Sequence, residues 1–542
     1  MTSTLYKNGF IHSPADPFAE AILVDNGMIA WLGANDSAAA FAKNADRVVD
    51  LDGALVTPGF VDSHVHLLET ALARRAVAVS PDSGGHSTGQ VLDLLAGPAR
   101  QWSGALGVIT AFGYDDSRWT GPALCQQDLD EAFAGVELYV PRADLHSGLI
   151  SSALQHRLGV QTSDGIVAGP AHQHVRTAIR TFTPAQREVL YREVLGHAAS
   201  RGVVAVHENS APGIDTREGL AQLLALTAAA DSGLPAVVGY LGELMDSADQ
   251  ALEIAAQIPG LRGFAGDLSV DGSFGSRSAA LRASYIDIDP GALATRGTLH
   301  LSQEQIAGHV AAVTRAGLTA GFHVIGDRAL DTVLAAFDQV ATDPDLARAM
   351  RRLGHRLEHV ELVDQPAIDA LVRHGISVSV QPAFDAFWGG PGGMYETRLG
   401  AQRAGATTPV RSLLAAGIPT GLGSDAPVTP IDPWGAVTAA LFHHNRDQRV
   451  SARAAFRAHT RGAWRIGGAT TPGAGEIRIG SPADLAIWRC DELGVQAENS
   501  GRSSWSTDFR GGSPLLPILG PDSGPVTCLA TLRAGVEIFA EM

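Results

Sequence analysis

Two histidines two residues apart, His64 and His66, carry the strongest chemical signal in this 542-residue chain. They close the run Val56-Thr57-Pro58-Gly59-Phe60-Val61-Asp62-Ser63-His64-Val65-His66, whose apolar content reads as a strand. A strand alternates faces with a period of two, so Asp62, His64 and His66 share one face. Two neutral imidazoles at a strand end can hold one divalent ion. Asp62, one step deeper, is placed to accept a ring N–H and fix its tautomer. The spacing alone is weak evidence, because a chain with 19 histidines produces it by chance. His172-Gln173-His174 repeats it in a polar stretch and reads as a solvated loop.

Three further residues matter only in company. His323 precedes Ile325-Gly326-Asp327-Arg328, His359 ends Arg356-Leu357-Glu358-His359, and Asp425 sits in Gly423-Ser424-Asp425-Ala426-Pro427. Alone, each histidine reads as a core or surface residue and the aspartate as a turn or cap.

The elements that must position them follow a repeat of amphipathic helix, glycine, short apolar strand and polar residues. Thr183-Pro184 supplies an N-cap and a proline at the first helical position of a helix running to Ser200-Arg201. After Gly202, Val203–Val206 leads to His207-Glu208. Ser302 and Gln305 have capping-box spacing, and that helix ends near Gly317 before Leu318–Phe322 leads to His323. Asp364 caps the next helix, and after Gly375 the strand Ile376–Val380 leads to Gln381. Pro409–Ala416 ends at Gly417, and Ile418–Gly423 leads to Ser424-Asp425. Alternating helices and strands imply an α/β fold with parallel sheet, and polar side chains recur where strands end. The rim of a TIM-like (β/α)8 barrel is built that way. A doubly wound sheet would bring a glycine-rich phosphate loop, and neither GxGxxG nor GxxxxGK[ST] occurs.

The expected organisation is a metal-dependent barrel over 58–470, with an insertion at about 70–180 after the first strand. That insertion is Gly-, Ser-, Asp- and Arg-rich and reads as a lid. A composite small β domain is expected from 1–57 plus 471–542. Its first hairpin is Ala21–Val24, the turn Asp25-Asn26-Gly27 and Met28–Leu32; its last turns at Ala534-Gly535. Residues 499–525 read as a long surface loop.

Several separated motifs now make the chain recognisable. TPGFVDSHVH at 57–66, DGSFGSRSAAL at 271–281, FHVIGDRALD at 322–331, RLEHVEL at 356–362, QPAF at 381–384, GSDAPVTPIDPW at 423–434 and GEIRIGSPADLAIW at 475–488 occur in this order. The chain resembles the amidohydrolase superfamily, in particular the group that includes the N-substituted formamide deformylases. The resemblance implies that His64, His66, His323 and His359 bind metal. It implies that Asp425 both binds metal and shuttles the proton, with His359 beside it in the catalytic centre. One departure stands out. Many relatives bridge two metals with a carboxylated lysine, often four residues before the DGS motif, where this chain has Asp267. Lys7 and Lys43 are the only lysines among 40 basic residues. Either Asp267 supplies the carboxylate or the site holds a single ion; Asp271 and Glu208 are weaker candidates. The cofactor expected is a divalent metal, zinc first, as one or two ions. His146, Arg277, Gln381 and Arg403 are candidate substrate contacts.

A net charge of −17 disfavours nucleic acid or an anionic membrane as partner. The N-terminus carries no signal-peptide pattern, and Cys125, Cys490 and Cys528 form no CxxC pair, so a cytoplasmic protein is expected. A small-molecule substrate and a homodimer are the default partners. The expected reaction is hydrolysis of a non-peptide C–N bond in an amide, N-substituted formamide or cyclic amide. Ester cleavage, isomerisation, and a non-catalytic ligand-binding regulator on the same fold are the alternatives.

Overall fold

A computed structural model describes residues 3–103, 107–162, 164–288, 295–497 and 513–541. Its centre is eight parallel strands: β1 (Phe60–Val65), β2 (Val203–Ser210), β3 (Ala236–Leu241), β4 (Leu261–Phe264), β5 (Thr319–Val324), β6 (Arg356–His359), β7 (Ser377–Val380) and β8 (Thr420–Leu422). They lie side by side in chain order. The ring closes just beyond β8, where Val65 bridges Ala426 in parallel. There the Asp425 N–H donates to the His64 carbonyl (2.8 Å) and the His66 N–H to the Ala426 carbonyl (2.9 Å). The chain is therefore a (β/α)8 barrel. Helices cover its outer face, so β1, β2 and β5 to β8 are buried along their whole length.

The helices begin where local chemistry dictates. Thr183 accepts from Gln186 N–H ahead of Pro184–Ser200, Ser302 from Gln305 N–H ahead of Gln303–Arg315, and Asp364 from Ala367 N–H ahead of Gln365–His374. Two of the strands that follow run slightly further than their apolar letters suggest. β2 carries His207, Glu208 and Asn209, and β5 carries His323.

Both chain ends meet beside the barrel. Leu55–Pro58 pairs antiparallel with Leu485–Arg489, which pairs in turn with Thr527–Arg533 and then Val536–Ala540. Ile22, Val24 and Ile29 share one hydrophobic cluster with Leu485, Ile487 and Leu532. The hairpin of Ala21–Asp25 and Met28–Gly33 turns through Asn26 and Gly27, both at positive φ. Of the stretch 499–525, residues 499–512 lie outside the described residues. The remainder contains Leu516–Pro517, paired with Leu493–Gly494.

The segment after β1 differs from the lid-like loop its composition suggests. Val77–Ala78, Ile109–Phe112, Leu138–Pro141, Ser147–Ile150 and Ile166–Ala168 form a five-stranded sheet with helices packed on it. Val79, Val91, Leu95, Leu129 and Val140 make one of its clusters, and Tyr139, Leu154 and Val175 belong to another. Strands of two to four residues are too short to show periodicity in sequence. His172 is likewise not solvated: it lies in the helix Gly169–Ile179, 3% exposed, with Nε2 2.5 Å from the Tyr139 hydroxyl.

Among the described residues, no helix is long and apolar enough to cross a membrane.

Gly202 joins the barrel to the small domain. It has φ +75°, and a Cβ there would stand 2.3 Å from the Trp488 ring. Gly202→Ala combines a disfavoured conformation with that clash, so a loss of about 1–3 kcal/mol is expected, read as a lowered thermal midpoint.

Candidate metal centre

The barrel-closing seam brings the donors together. His64 lies on β1, His66 immediately after it, and Asp425 two residues past the last hydrogen bond of β8. Each histidine has one ring nitrogen occupied by the protein. His64 Nδ1–H donates to Glu358 Oε2 (2.8 Å) and His66 Nδ1–H to the Asn209 carbonyl (3.0 Å). His359 Nδ1–H donates to Gln381 Oε1 (2.8 Å) and His323 Nε2–H to the Gly272 carbonyl (3.3 Å). The other nitrogen of each ring is thereby left with a lone pair.

For His64 and His66 those lone pairs face each other across 3.3 Å, an arrangement that repels unless positive charge lies between. Two carboxylates complete the ring. Asp425 Oδ1 is 3.3 Å from His64 Nε2 and 3.1 Å from His66 Nε2. Asp267 Oδ1 is 3.5 Å from His64 Nε2, and its Oδ2 is 3.3 Å from His66 Nε2. Ligands 2.0–2.1 Å from a tetrahedral zinc ion stand roughly 3.4 Å apart, so these separations are the edges of such a polyhedron. Two overlapping donor groups, His64–His66–Asp425 and His64–Asp267–His359, meet the spacing for a shared ion. Asp267 Oδ1 is also buried without a hydrogen-bond partner among the described residues. On the far side of Asp267 lies His323, with Nδ1 3.8 Å from Asp267 Oδ1, and its ring centroid is 4.5 Å from that of His359.

Asp267 reaches this position because it is not on a strand. It follows β4 in a bend after Gly266, which has φ +78°. A Cβ on Gly266 would stand 2.6 Å from Asn209 Oδ1, so glycine is what lets the bend dip inward. The short side chain of Asp267 thus reaches the imidazoles from a turn.

The electrostatics favour positive charge. Burial disfavours a proton on His64, yet Asp425, Asp267 and Glu358 outweigh it and hold its pKa well above the ordinary value. His66 is raised in the same way, against burial, by Asp267 and Asp425. Burial and the neighbouring His323 instead push His359 down to about 3, so that ring is neutral. Burial alone would raise Asp425, but His64, His66 and His359 hold it well below the usual carboxylate range. His359 and Asp425 both adopt positive φ, +70° and +56°, a strained backbone that clusters at working sites.

Several expectations are corrected. Asp62 binds no imidazole: its Oδ1 accepts the backbone N–H groups of Ser424 (2.9 Å) and His64 (3.2 Å), stitching the seam. Glu358 holds the His64 ring instead. Asp271 is spent on the N–H groups of Ile325, Gly326 and Ala280, and Glu208 on that of Leu67 (2.7 Å). Of the four expected substrate contacts, His146 lines the cavity above the donors, its ring centroid 5.0 Å from that of His323. Gln381 lies behind His359 and orients it. Arg277 does not line the cavity but pairs with Asp287 (2.8 Å), and Arg403 grips the carbonyls of Leu399, Ala283 and Ser284. A guanidinium near a rim motif satisfies nearby loop carbonyls as readily as a ligand.

The sequence reading passed over Arg356 and Glu358. Arg356 is fully buried, donates to both Glu358 oxygens (2.6 and 2.7 Å) and lies 4.5 Å over the Tyr240 ring. Burial would raise Glu358, but Arg356 and His64 bring it down to about 2, a firm acceptor for the imidazole. Two opposite charges at i and i+2, directly ahead of His359 on a fully buried strand, were the signal.

The amidohydrolase family's sequence profile matches residues 47–538. The chain belongs to the amidohydrolase family. Among its relatives, the exoenzymes regulatory protein AepA of Pectobacterium carotovorum is 28% identical over 64% of this chain and 79% of its own length. The N-substituted formamide deformylase of Arthrobacter pascens is 24% identical over 86% of this chain and 90% of its own. A metal-dependent hydrolase of unassigned role from Pyrococcus furiosus shares the fold, with a TM-score of 0.66, 24% identity, and coverage of 90% and 98% of the two chains.

Glu358→Gln keeps the shape but weakens the hold on His64 Nδ1–H and leaves Arg356 without its counter-charge. Metal affinity is expected to fall about 10- to 100-fold, measured by competition with a chromogenic chelator.

Proposed function

We propose that this protein is a metal-dependent hydrolase that cleaves a non-peptide C–N bond, in an amide, an N-substituted formamide or a cyclic amide. The observation that carries the reading is the four-donor ring of His64, His66, Asp267 and Asp425, with edges of 3.1–3.5 Å and each imidazole's second nitrogen already committed. These residues would hold a divalent ion, zinc being the expected one. His323 and His359, beyond Asp267, would offer donors for a second ion, with Asp267 close to both donor groups. When bound, the metal supplies Lewis acidity, which polarises a carbonyl and acidifies water. Family membership supports hydrolysis at C–N bonds, and the deformylase relative is named for formamides.

The chain's own residues divide the remaining work. Asp425, ionised and facing the cavity, takes the proton of the attacking water and returns it to the leaving nitrogen. His359 is held by Gln381 with its unprotonated nitrogen toward the cavity, a lone pair that would serve as a metal donor. Phe384 lies parallel to the His359 ring (centroids 5.9 Å, 12° between planes) and closes that side against water.

A second reading draws on the relative named as a regulator: the same centre binding a ligand without turnover. Asp425→Asn separates the two. With the hydrolase reading, turnover of a panel of formamides, amides and esters falls by at least about 10²-fold while metal content, measured by elemental analysis, persists. Metal-replete wild type that turns over no member of the panel overturns it in favour of the regulator. About two equivalents of metal per chain, falling to one in Asp267→Ala, is the outcome expected of a bridging Asp267.

A further inference from the structure

The cavity above the donors is small, about 40 Å³, and opens beside a chamber of about 390 Å³. Asp115, Ala143, Trp388 and Val428 line both, so the two spaces share one wall. The larger chamber lies between the insertion and the loops that follow the last barrel strands. Phe112 and Trp119 face it from the insertion; Phe387, Pro427 and Pro430 face it from the barrel.

Aromatic rings connect the centre to this chamber without a break. Phe384 lies parallel to His359, Trp388 meets Phe384 edge-on at 5.2 Å, and Phe387 follows Trp388 at 6.0 Å. The opposite wall carries Trp119, packed edge-on against Tyr114 at 5.5 Å. Two hydrogen bonds clasp the walls: Trp388 Nε1–H to Asp115 Oδ2 (3.2 Å) and Arg118 Nη2–H to the Phe387 carbonyl (3.0 Å). Phe387 nevertheless remains 43% exposed, a large apolar ring held at the chamber's mouth.

The charges on the path give an anion no net attraction: the outer chamber sets the carboxylates of Asp82 and Asp115 against the Arg118 guanidinium, which also donates to the Phe387 carbonyl. Arg142 lines the inner cavity beside His146, His323 and His359, and it pairs with Asp116 (2.9 Å) while Asp144 and Asp115 also act on it. Asp144 is itself satisfied by the hydroxyls of Ser273 (2.7 Å) and Ser276 (2.9 Å). An anionic group entering here would meet carboxylates whose cation is already taken.

We propose that the outer chamber binds a flat, uncharged apolar arm, aryl or cyclic, of the same molecule whose scissile amide reaches Asp425. The bond-cleavage half of this statement rests on the hydrolase reading; the arm-binding half rests on the chamber alone. The inner space takes the amide and a small group on one side, and the arm runs along Phe384 and Trp388 to lie between Phe387 and Trp119.

The test uses full-length protein as purified and a series of N-(ω-phenylalkyl)formamides with one to four methylenes, beside the same series carrying a ring carboxylate. Affinity is read by calorimetry and turnover by amine release. Affinity for the neutral series is expected to rise with arm length, and the carboxylates are expected to bind more weakly. In Phe387→Ala with Trp119→Ala the gain from the long arm over the short one should shrink about three- to tenfold per ring removed. Phe387→Ala alone, at an exposed position, replaces the pair should the double variant fail to fold. Affinity that does not change with arm length, a gain that survives the substitutions, or equal binding of the carboxylates overturns the proposal. Length-dependent binding with no amine released from any member leaves the chamber standing and removes the hydrolase reading.

Discussion

Everything at the centre depends on how the barrel closes. The first and last strands meet through a few hydrogen bonds near His64, Asp425, His66 and Ala426, with Asp62 holding the Ser424 N–H from below. Backbone atoms about 360 positions apart are thereby fixed to within hydrogen-bond tolerance. The side chains on that seam inherit the precision. His64 on β1 and His66 just past its end face the axis together, and Asp425 meets them because its own N–H is pinned to the His64 carbonyl. A slip in the β1–β8 pairing would move the aspartate off the imidazoles and turn β1 inside out. Rigid strands therefore set the donors, and the strained φ of Asp425 is held by the closure around it.

The seam would be costly without compensating charge. His64 and Glu358 are buried to completion, Asp425 and His66 nearly so, and Asp267 in large part. The barrel answers with a buried chain from Tyr240 through Arg356 and Glu358 to His64. Arg356 also donates to the Ser63 carbonyl (2.8 Å) and to His207 Nδ1 (3.0 Å), so one cation links β1, β2 and β6. Removing either member of such a pair leaves the other charge stranded, which is why the chain is structural as well as electrostatic. Its far end delivers an acceptor to one nitrogen of His64 and so determines which nitrogen faces the cavity.

How much of this was legible in the sequence follows from the range of each interaction. Helix starts at Thr183, Ser302 and Asp364 could be read because a cap and its partner lie within three residues. The i, i+2 spacing of His64 and His66 was local in the same sense. Asp267 was singled out through an absence, the lack of any lysine beyond Lys43. Its reach was not legible, since that depends on Gly266 clearing Asn209 from another strand. Asp62 shares a face with the histidines, as alternation requires, but its partner Ser424 is 362 residues away. Arg277, Arg403 and Gln381 sit in rim motifs, and motif membership carries no information on whether a polar head turns to the cavity or to a loop carbonyl. His172 and the insertion fail for one reason. Short strands and a histidine flanked by polar letters look like loop until a second layer covers them.

The two halves of the site answer to different physical demands. The donors come from strand ends and the closure seam, where a displacement of an ångström breaks the polyhedron. The cavity walls come from the insertion, the helices after β7 and the loops after the other barrel strands, with side-chain contacts such as Trp388 with Asp115 joining them. Wall residues such as Trp119, Phe387 and Val428 can change without altering the backbone hydrogen bonds that locate His64, His66 and Asp425. Much of the inner wall's polarity is already committed: Asp144 to serines, Arg142 to Asp116, Asp115 to Trp388. What remains facing the donors is chiefly aromatic and aliphatic surface, from Phe274, Phe384, Met394 and Val428. A centre that concentrates polar chemistry at one end of an apolar passage discriminates between ligands by shape and desolvation along that passage. On the proposed function, the choice of ligand therefore falls to these wall segments rather than to the strands that hold the donors.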